Sequence, residues 1–262
     1  MTNSPCITSS YSVQDARTVR LTDAGHAYLD YANRALRELA AGERAVHDVT
    51  DLSRGHLRLA VTPTFTAYLV GPLTAELHRR HPGITLTVRE ASQERIESEL
   101  ASDTVVLGIA FDAPSQPGIA ASTLFTETLR VVTNSAAPLA TEAAQTISAH
   151  ALENHPLALL TRDFATRRHI DNYCSAHHIS PRIAVEANSV QALTEIVRQA
   201  PMATVLPDAI THDHPELIPI DLDPPIPTRT AVLLTREGGY RSAACRAFIP
   251  LAHDLTHALP AL

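Results

Sequence analysis

The sequence predicts an α/β fold of two lobes preceded by one long helix. Three observations predict it. From Gly55 onward, short strand-like and helix-like segments alternate, the pattern of a parallel α/β sheet. Two extended apolar segments, 128–132 and 229–235, are flanked by loop-forming sequence and enclose a second run of the same alternation. Ahead of both, apolar residues recur at spacings of three and four from Ala24 to about Leu52.

Composition bounds the reading. At 262 residues the chain can hold one large α/β domain or two lobes about a hinge, and an apolar content of 45% supports a buried core. No apolar run reaches the ~18 residues needed to span a bilayer. The first twenty residues lack the apolar stretch of a secretory signal. Cys6, Cys174 and Cys245 are odd in number and far apart, which fits a reducing compartment without a disulfide framework. A soluble cytoplasmic protein with no membrane contact is expected. The formal charge of −7 gives no footprint for nucleic acid over the whole chain. Every fixed cation is arginine, which the codon bias of a GC-rich genome explains. Arg17 and Arg20 are too small a cluster to bind DNA alone.

Residues 1–16 are polar, rich in Ser and Thr and without periodicity, and are expected to form a disordered tail. Thr18–Leu21 has strand character. Thr22 then stands as an N-cap with Asp23 in the first turn, opening a helix of some thirty residues. That length favours a dimerisation helix packed on a partner chain over an ordinary amphipathic surface helix. After the Ser53-Arg54-Gly55 break come a strand at 56–61, a helix at 67–81 closed by Pro82-Gly83, a strand at 84–88, a helix at 93–102 and a strand at 105–111. The two extended segments read as strands crossing between lobes. The first lobe is then about 55–131 and 232–262, and the second about 132–231. Inside the second, strands at 157–160, 183–186 and 203–206 alternate with helices at 165–178 and 189–199. A helix at about 242–259 returns to the first lobe. The Pro-rich run 221–227 reads as a rigid surface loop.

Thr62-Pro63-Thr64-Phe65-Thr66 is the leading candidate site. It follows a strand and opens a helix, so backbone N–H groups and hydroxyls converge at a positive helix end that suits a small anion. Simple capping by Thr64 or Thr66 is the alternative. Thr161–Thr166, with Phe164 and Thr166, repeats the arrangement in the second lobe, and so does Asn188-Ser189, where Ser189 is a natural N-cap. Competing chemistries have bland accounts. His212-Asp213-His214 with Glu216 has metal-binding donor types but reads as an exposed loop. His177-His178 closes a helix, where it meets carbonyls and the dipole. Cys174 reads as a small buried apolar residue. No nucleophile elbow, P-loop or dinucleotide fingerprint is present, so no enzyme, no metal and no cofactor are expected.

Several stretches carry a resemblance: RTVRLTDAG (17–25), HDVTDLSRG (47–55), LAVTPTFTAYLVGPL (59–73), VLGIAF (106–111), DFATRRHIDNYC (163–174), EANSVQAL (186–193) and RTAVLLTRE (229–237). Together they resemble the LysR-type transcriptional regulators, and among those the regulators of cyanate operons. The resemblance implies a wing-strand remnant and linker helix over 17–54, followed over 55–262 by a two-lobed, periplasmic-binding-protein-like effector domain. It implies a small anion such as cyanate between the lobes, against Thr62, Thr64, Phe65, Thr66, Phe164, Thr166, Asn188 and Ser189. It also implies self-association through the linker helix. The roughly sixteen residues ahead of the wing strand are too few for a helix-turn-helix, so operator DNA is expected as a partner only of a full-length relative. One departure stands out: the family commonly has Asp where Val106 stands, two residues before Gly108. A free-standing small-solute-binding protein of the same architecture is the competing reading, and a secretory signal would favour it.

Overall fold

The computed structural model describes residues 12–15, 18–47, 55–142, 146–211 and 214–258, and divides into two units, Met1–Val49 and Thr50–Leu262. In the first unit, β1 (Ser12–Asp15) pairs antiparallel with β2 (Thr18–Leu21), from Ser12 opposite Leu21 to Asp15 opposite Thr18. Four residues of the expected disordered tail are thus a strand. A hairpin needs only a partner edge to satisfy its backbone groups, so it leaves no apolar period to read. Residues 1–11 and 16 lie outside the described residues. Helix α1 (Asp23–His47) opens as expected, with the Gly25 N–H donating to Thr22 Oγ1 at 3.0 Å. Its expected continuation to Leu52 lies outside the described residues. Leu29, Leu36 and Leu39 along α1 are exposed.

The second unit begins with β3 (Gly55–Val61), α2 (Pro63–Thr66), α3 (Val70–Arg80), β4 (Ile84–Glu90), α4 (Gln93–Ala101), β5 (Leu107–Phe111) and β6 (Ile119–Glu127). The chain then runs through β7 (Leu129–Asn134), α5 (Pro138–Glu142), β8 (Ile147–Ser148), a 3-10 turn (Ala149–Glu153), β9 (Leu157–Leu160), α6 (Ala165–Ala176) and β10 (Ile183–Ala187). After α7 (Val190–Gln199), β11 (Ala203–Pro207), α8 (Asp208–Thr211), β12 (Leu217–Ile220) and β13 (Leu222–Asp223), it returns through β14 (Arg229–Arg236) and α9 (Ala243–Ala258).

Two five-stranded sheets result, β4-β3-β5-β14-β6 in the first lobe and β10-β9-β11-β7-β12 in the second. Both are mixed rather than parallel. β14 runs antiparallel to β5 and β6, and β7 antiparallel to β11 and β12. The expected crossing strands do not cross. β7 belongs wholly to the second sheet, and β14 lies wholly inside the first. The lobes therefore divide at Thr128 and ahead of Arg229, not near 131 and 231. The reason is β6, a strand the sequence hid, which supplies the first sheet's last edge and pairs Glu127 with Arg229 across one rung.

Two smaller expectations also change. The helix expected over 67–81 starts late, at Val70, with Pro72 in its first turn, where the proline has no N–H to give the carbonyl of Tyr68. The Pro-rich run holds β13, which pairs parallel with β8. Packing joins the lobes. Phe65, Leu69 and Phe111 of the first share one apolar core with Phe164, Val190 and Leu193 of the second. Beneath α4, Gly108 permits close approach, since a Cβ there would stand 2.5 Å from Ile96 Cγ2.

Candidate functional site

Each lobe presents the same turn where a strand ends. The Thr62 N–H donates to Ile109 O at 3.0 Å, and the Phe65 N–H returns to Thr62 O at 3.0 Å. In the second lobe the Thr161 N–H donates to Ala187 O at 3.0 Å, and the Phe164 N–H returns to Thr161 O at 3.1 Å. Both phenylalanines are carried into the shared core, where Phe65 stacks on Phe111 with ring centroids 4.5 Å apart. Oγ1 of Thr62 and Oγ1 of Thr161 are each buried, with no hydrogen-bond partner among the described residues.

Between the lobes lies a cleft of about 780 Å³. The first lobe lines it with Pro63 and Thr66 of α2, Ala67 just after them, and Glu90 at the end of β4. The second lobe contributes the start of α7, from Asn188 to Gln191, and further along Glu195 and Arg198. His214 and Glu216 complete that wall. A helix's first turn leaves N–H groups without partners inside the helix. Here Ser189 Oγ accepts that of Ala192 at 3.3 Å, while Val190 and Gln191 stand in the cleft wall. The dipole of α7 adds a partial positive charge there.

The remaining wall is acidic. Arg198 gives Nε and Nη2 to Glu195 at 2.9 and 2.7 Å, and these bonds hold the Glu195 carboxyl below the usual carboxylate range. Glu216, also held low, first by its own backbone N–H and then by His214, faces that ring at 3.4 Å. Glu90 adds a third carboxylate.

Of the residues singled out from sequence, Thr66, Asn188 and Ser189 fall in the cleft lining. Thr62 and Thr64 are buried behind it, and Phe65 and Phe164 are core residues. Thr166 is buried and turned away, its hydroxyl accepting from Arg229 Nη1 at 2.9 Å. Because α2 is a single turn, the positive helix end expected at Thr62–Thr66 is not that of a long helix; α7 supplies one from the other lobe. His212 and Asp213 lie outside the described residues, and among those described no His, Cys, Asp and Glu group could hold a metal. Cys174 is buried, as expected, and burial raises its thiol. Among the described residues no helix is long and apolar enough to cross a membrane.

Sequence reasoning missed the wall residues Glu90, Glu195 and Arg198, set His214 and Glu216 aside as an exposed loop, and also missed a buried polar chain of Tyr68, Glu127 and Arg229. Tyr68 donates its hydroxyl to Glu127 Oε1, and Arg229 Nε donates to Glu127 Oε2 at 2.5 Å. The Arg229 guanidinium carbon sits 3.5 Å from the Phe111 ring centroid. Burial pushes the Tyr68 phenol well above its ordinary range, and Glu127 adds to it. Burial also raises the Glu127 carboxyl, against the pull of Arg229. A charge at each edge of the apolar runs TLFTE and RTAVLLTR was the available signal.

Two mixed α/β lobes around a polar cleft, the second inserted between paired strands of the first, define a two-lobed small-molecule-binding domain. Residues 50–256 match the family model of the LysR substrate binding domain, and the chain belongs to that family. It is 28% identical over 184 residues to the HTH-type transcriptional activator CmpR of Synechocystis sp. (strain ATCC 27184 / PCC 6803 / Kazusa), covering 70% of this chain. That match spans 60% of CmpR, less than two thirds of its length. Among solved structures, the Synechocystis PCC6803 CcmR regulatory domain in complex with 2-PG superposes with a TM-score of 0.71 at 22% identity, covering 79% of this chain and all of that one. A full-length OxyR variant from Pseudomonas aeruginosa gives 0.71 at 19% identity, covering 95% of this chain and 80% of that one. At such identities the two structures establish the fold alone.

Proposed function

We propose that the chain is the sensor of a LysR-type transcriptional regulator, cytoplasmic and without enzymatic activity, that takes a small anionic effector in the interlobe cleft. The observation that carries this reading is the start of α7 in the cleft wall, opposite Thr66, within a domain of that family. The anion meets the N–H groups of Val190 and Gln191 and the side chains of Asn188 and Ser189. Cyanate is the specific candidate, on the strength of the sequence resemblance. Effector binding acts through a difference in affinity between two arrangements of an oligomer, since a ligand that binds both equally shifts nothing. Self-association is assigned to α1, and operator contact to a chain that carries a helix-turn-helix. The free-standing solute-binding alternative is less well supported, because the matched family and the named relative are regulatory.

The test is calorimetric titration of the purified chain with cyanate and azide, beside the Ser189→Ala and Asn188→Ala variants. Saturable heat that either substitution weakens about tenfold supports the anion site. Absence of heat and of thermal shift with both anions rejects it. A second reading has its own support. The volume of about 780 Å³ suits a larger polar metabolite, and Glu90 and Glu216 would meet its hydroxyl or amino groups. Saturable binding of polyhydroxy or amino acids without any response to cyanate selects that reading.

A further inference from the structure

We propose that Arg229 is a positioning residue, the centre of a buried latch that sets the angle between the lobes and couples it to the cleft wall. This rests on the cleft being the effector site. The latch has four members. Tyr68 follows directly on Thr66 and Ala67, which line the cleft. Its hydroxyl holds Glu127, the last residue of β6 before the chain leaves the first lobe. Glu127 holds Arg229, the first residue after the chain comes back, and the two are partners on one rung of the β6–β14 ladder. The other edge of Arg229 reaches into the second lobe and donates to Thr166 on α6. A second α6 contact, His169 Nε2 to Pro227 O at 2.7 Å, falls on the returning segment two residues earlier.

Stability alone does not account for this arrangement. A buried ion pair is often no better than apolar side chains of the same volume, and its best-attested use is to fix one geometry among several. Here Glu127 and Thr166 receive separate edges of one planar guanidinium that is also stacked on Phe111. A rotation of the lobes about Thr128 must therefore break the Thr166 bond or turn the guanidinium off the ring. An effector that displaces Thr66 and Ala67 moves Tyr68, and with it the carboxylate that aims Arg229. The latch is thus a two-state element that both the cleft and the interlobe angle bias.

Hydrogen exchange on the unliganded chain tests the latch without relying on any effector. Thr166→Val removes one hydroxyl at nearly constant volume, and Tyr68→Phe removes the other end of the chain. The expected result is exchange about tenfold faster in peptides covering 124–131 and 224–232, with peptides over β9 and β11 within about twofold of the parent. Thr166→Ser, which keeps the hydroxyl, is expected to restore the parent rates. Unchanged exchange at the crossings in both variants overturns the proposal. An equal rise throughout both lobes also overturns it, because that is what a merely structural bond would give. A chain that binds no anion but shows this pattern would reject the anion reading while leaving the latch intact.

Discussion

Replacing Gly108 with alanine tests how tightly α4 is seated on the first sheet. The new methyl would lie 2.5 Å from Ile96 Cγ2 and 3.3 Å from both Leu100 Cδ1 and Leu234 Cβ. Carbon atoms in contact sit about 3.5–4.0 Å apart, so the Ile96 methyl must retreat by about 1 Å. It has nowhere easy to go, because Ile96 is fully buried and branched at Cβ, with little rotamer freedom on a helix. Overpacking of this kind costs about 1–3 kcal/mol. The loss of glycine's freedom in the unfolded chain returns about 0.4–1 kcal/mol. The clash wins, leaving a net destabilisation of about 1–2 kcal/mol. For a domain of this size that lowers the melting temperature by about 2–8 °C, at roughly 2–4 °C per kcal/mol. Circular dichroism melts measure it, and a double-mutant cycle identifies the cause. Ile96→Val keeps Cγ2, so the cost of Gly108→Ala persists in that background. Ile96→Ala removes the offending methyl, and there Gly108→Ala becomes neutral or stabilising. An unchanged melting temperature for Gly108→Ala alone, or an undiminished cost beside Ile96→Ala, refutes the packing argument.

Three further outcomes are expected. Glu127→Gln leaves a buried guanidinium without its counter-charge and costs about 3–5 kcal/mol in urea unfolding, while Glu127→Gln with Arg229→Met recovers most of it; equal losses in the single and double variants would contradict the pairing. Burial acts to raise the carboxyl of Glu97, but the hydrogen bonds from the Ser115 side chain and backbone, Gln116 and Gln93 outweigh it and hold the group below the usual carboxylate range. Its folded value is thus lower than its unfolded one, so its stabilisation is complete above the unfolded value of about 4.3 and disappears as pH falls through the folded value. The protection of the Ser115 and Gln116 amides, taken relative to the intrinsic exchange rate at each pH, should therefore fall in acid, and Glu97→Gln should abolish that fall. Finally, Leu36→Glu with Leu39→Glu on exposed positions of α1 is expected to lower the sedimentation mass of the chain with no change in the unfolding of the lobes; an unchanged mass removes α1 from the self-association proposal.

Much of the framework was legible because it is written locally. Thr22 and Ser189 are caps recognisable from neighbouring residues, and both accept the expected N–H bonds. The strands at 157–160 and 203–207 are short apolar runs between loop formers, readable without a partner. Strand β6 was not, because Ile119–Glu127 buries only Ile119, Leu124 and Glu127, and the exposed small and polar residues between them leave no alternation to read. Without it, the antiparallel placement of β14 could not be inferred, and the lobe boundaries moved with it. The site divides along the same line. Thr66, Asn188 and Ser189 sit at strand-to-helix turns, a local signal. Glu90 on β4, Arg198 on α7 and the His214–Glu216 loop are far apart in sequence and meet only in the folded chain.

The pairing of Glu127 with Arg229 on one rung has a consequence for how such proteins can be rebuilt. Partners on an antiparallel rung have their Cα atoms about 4.5–5.5 Å apart, a gap that a two-residue Asn-Gly turn closes. Residues 128–228 therefore form a cassette whose two ends emerge side by side from the paired ends of β6 and β14. Cut at that rung, the second lobe of one family member can be grafted onto the first lobe of another with no linker to design. Such a chimera would exchange the α7 wall of the cleft while retaining the Thr66 wall, separating what each half contributes to ligand choice.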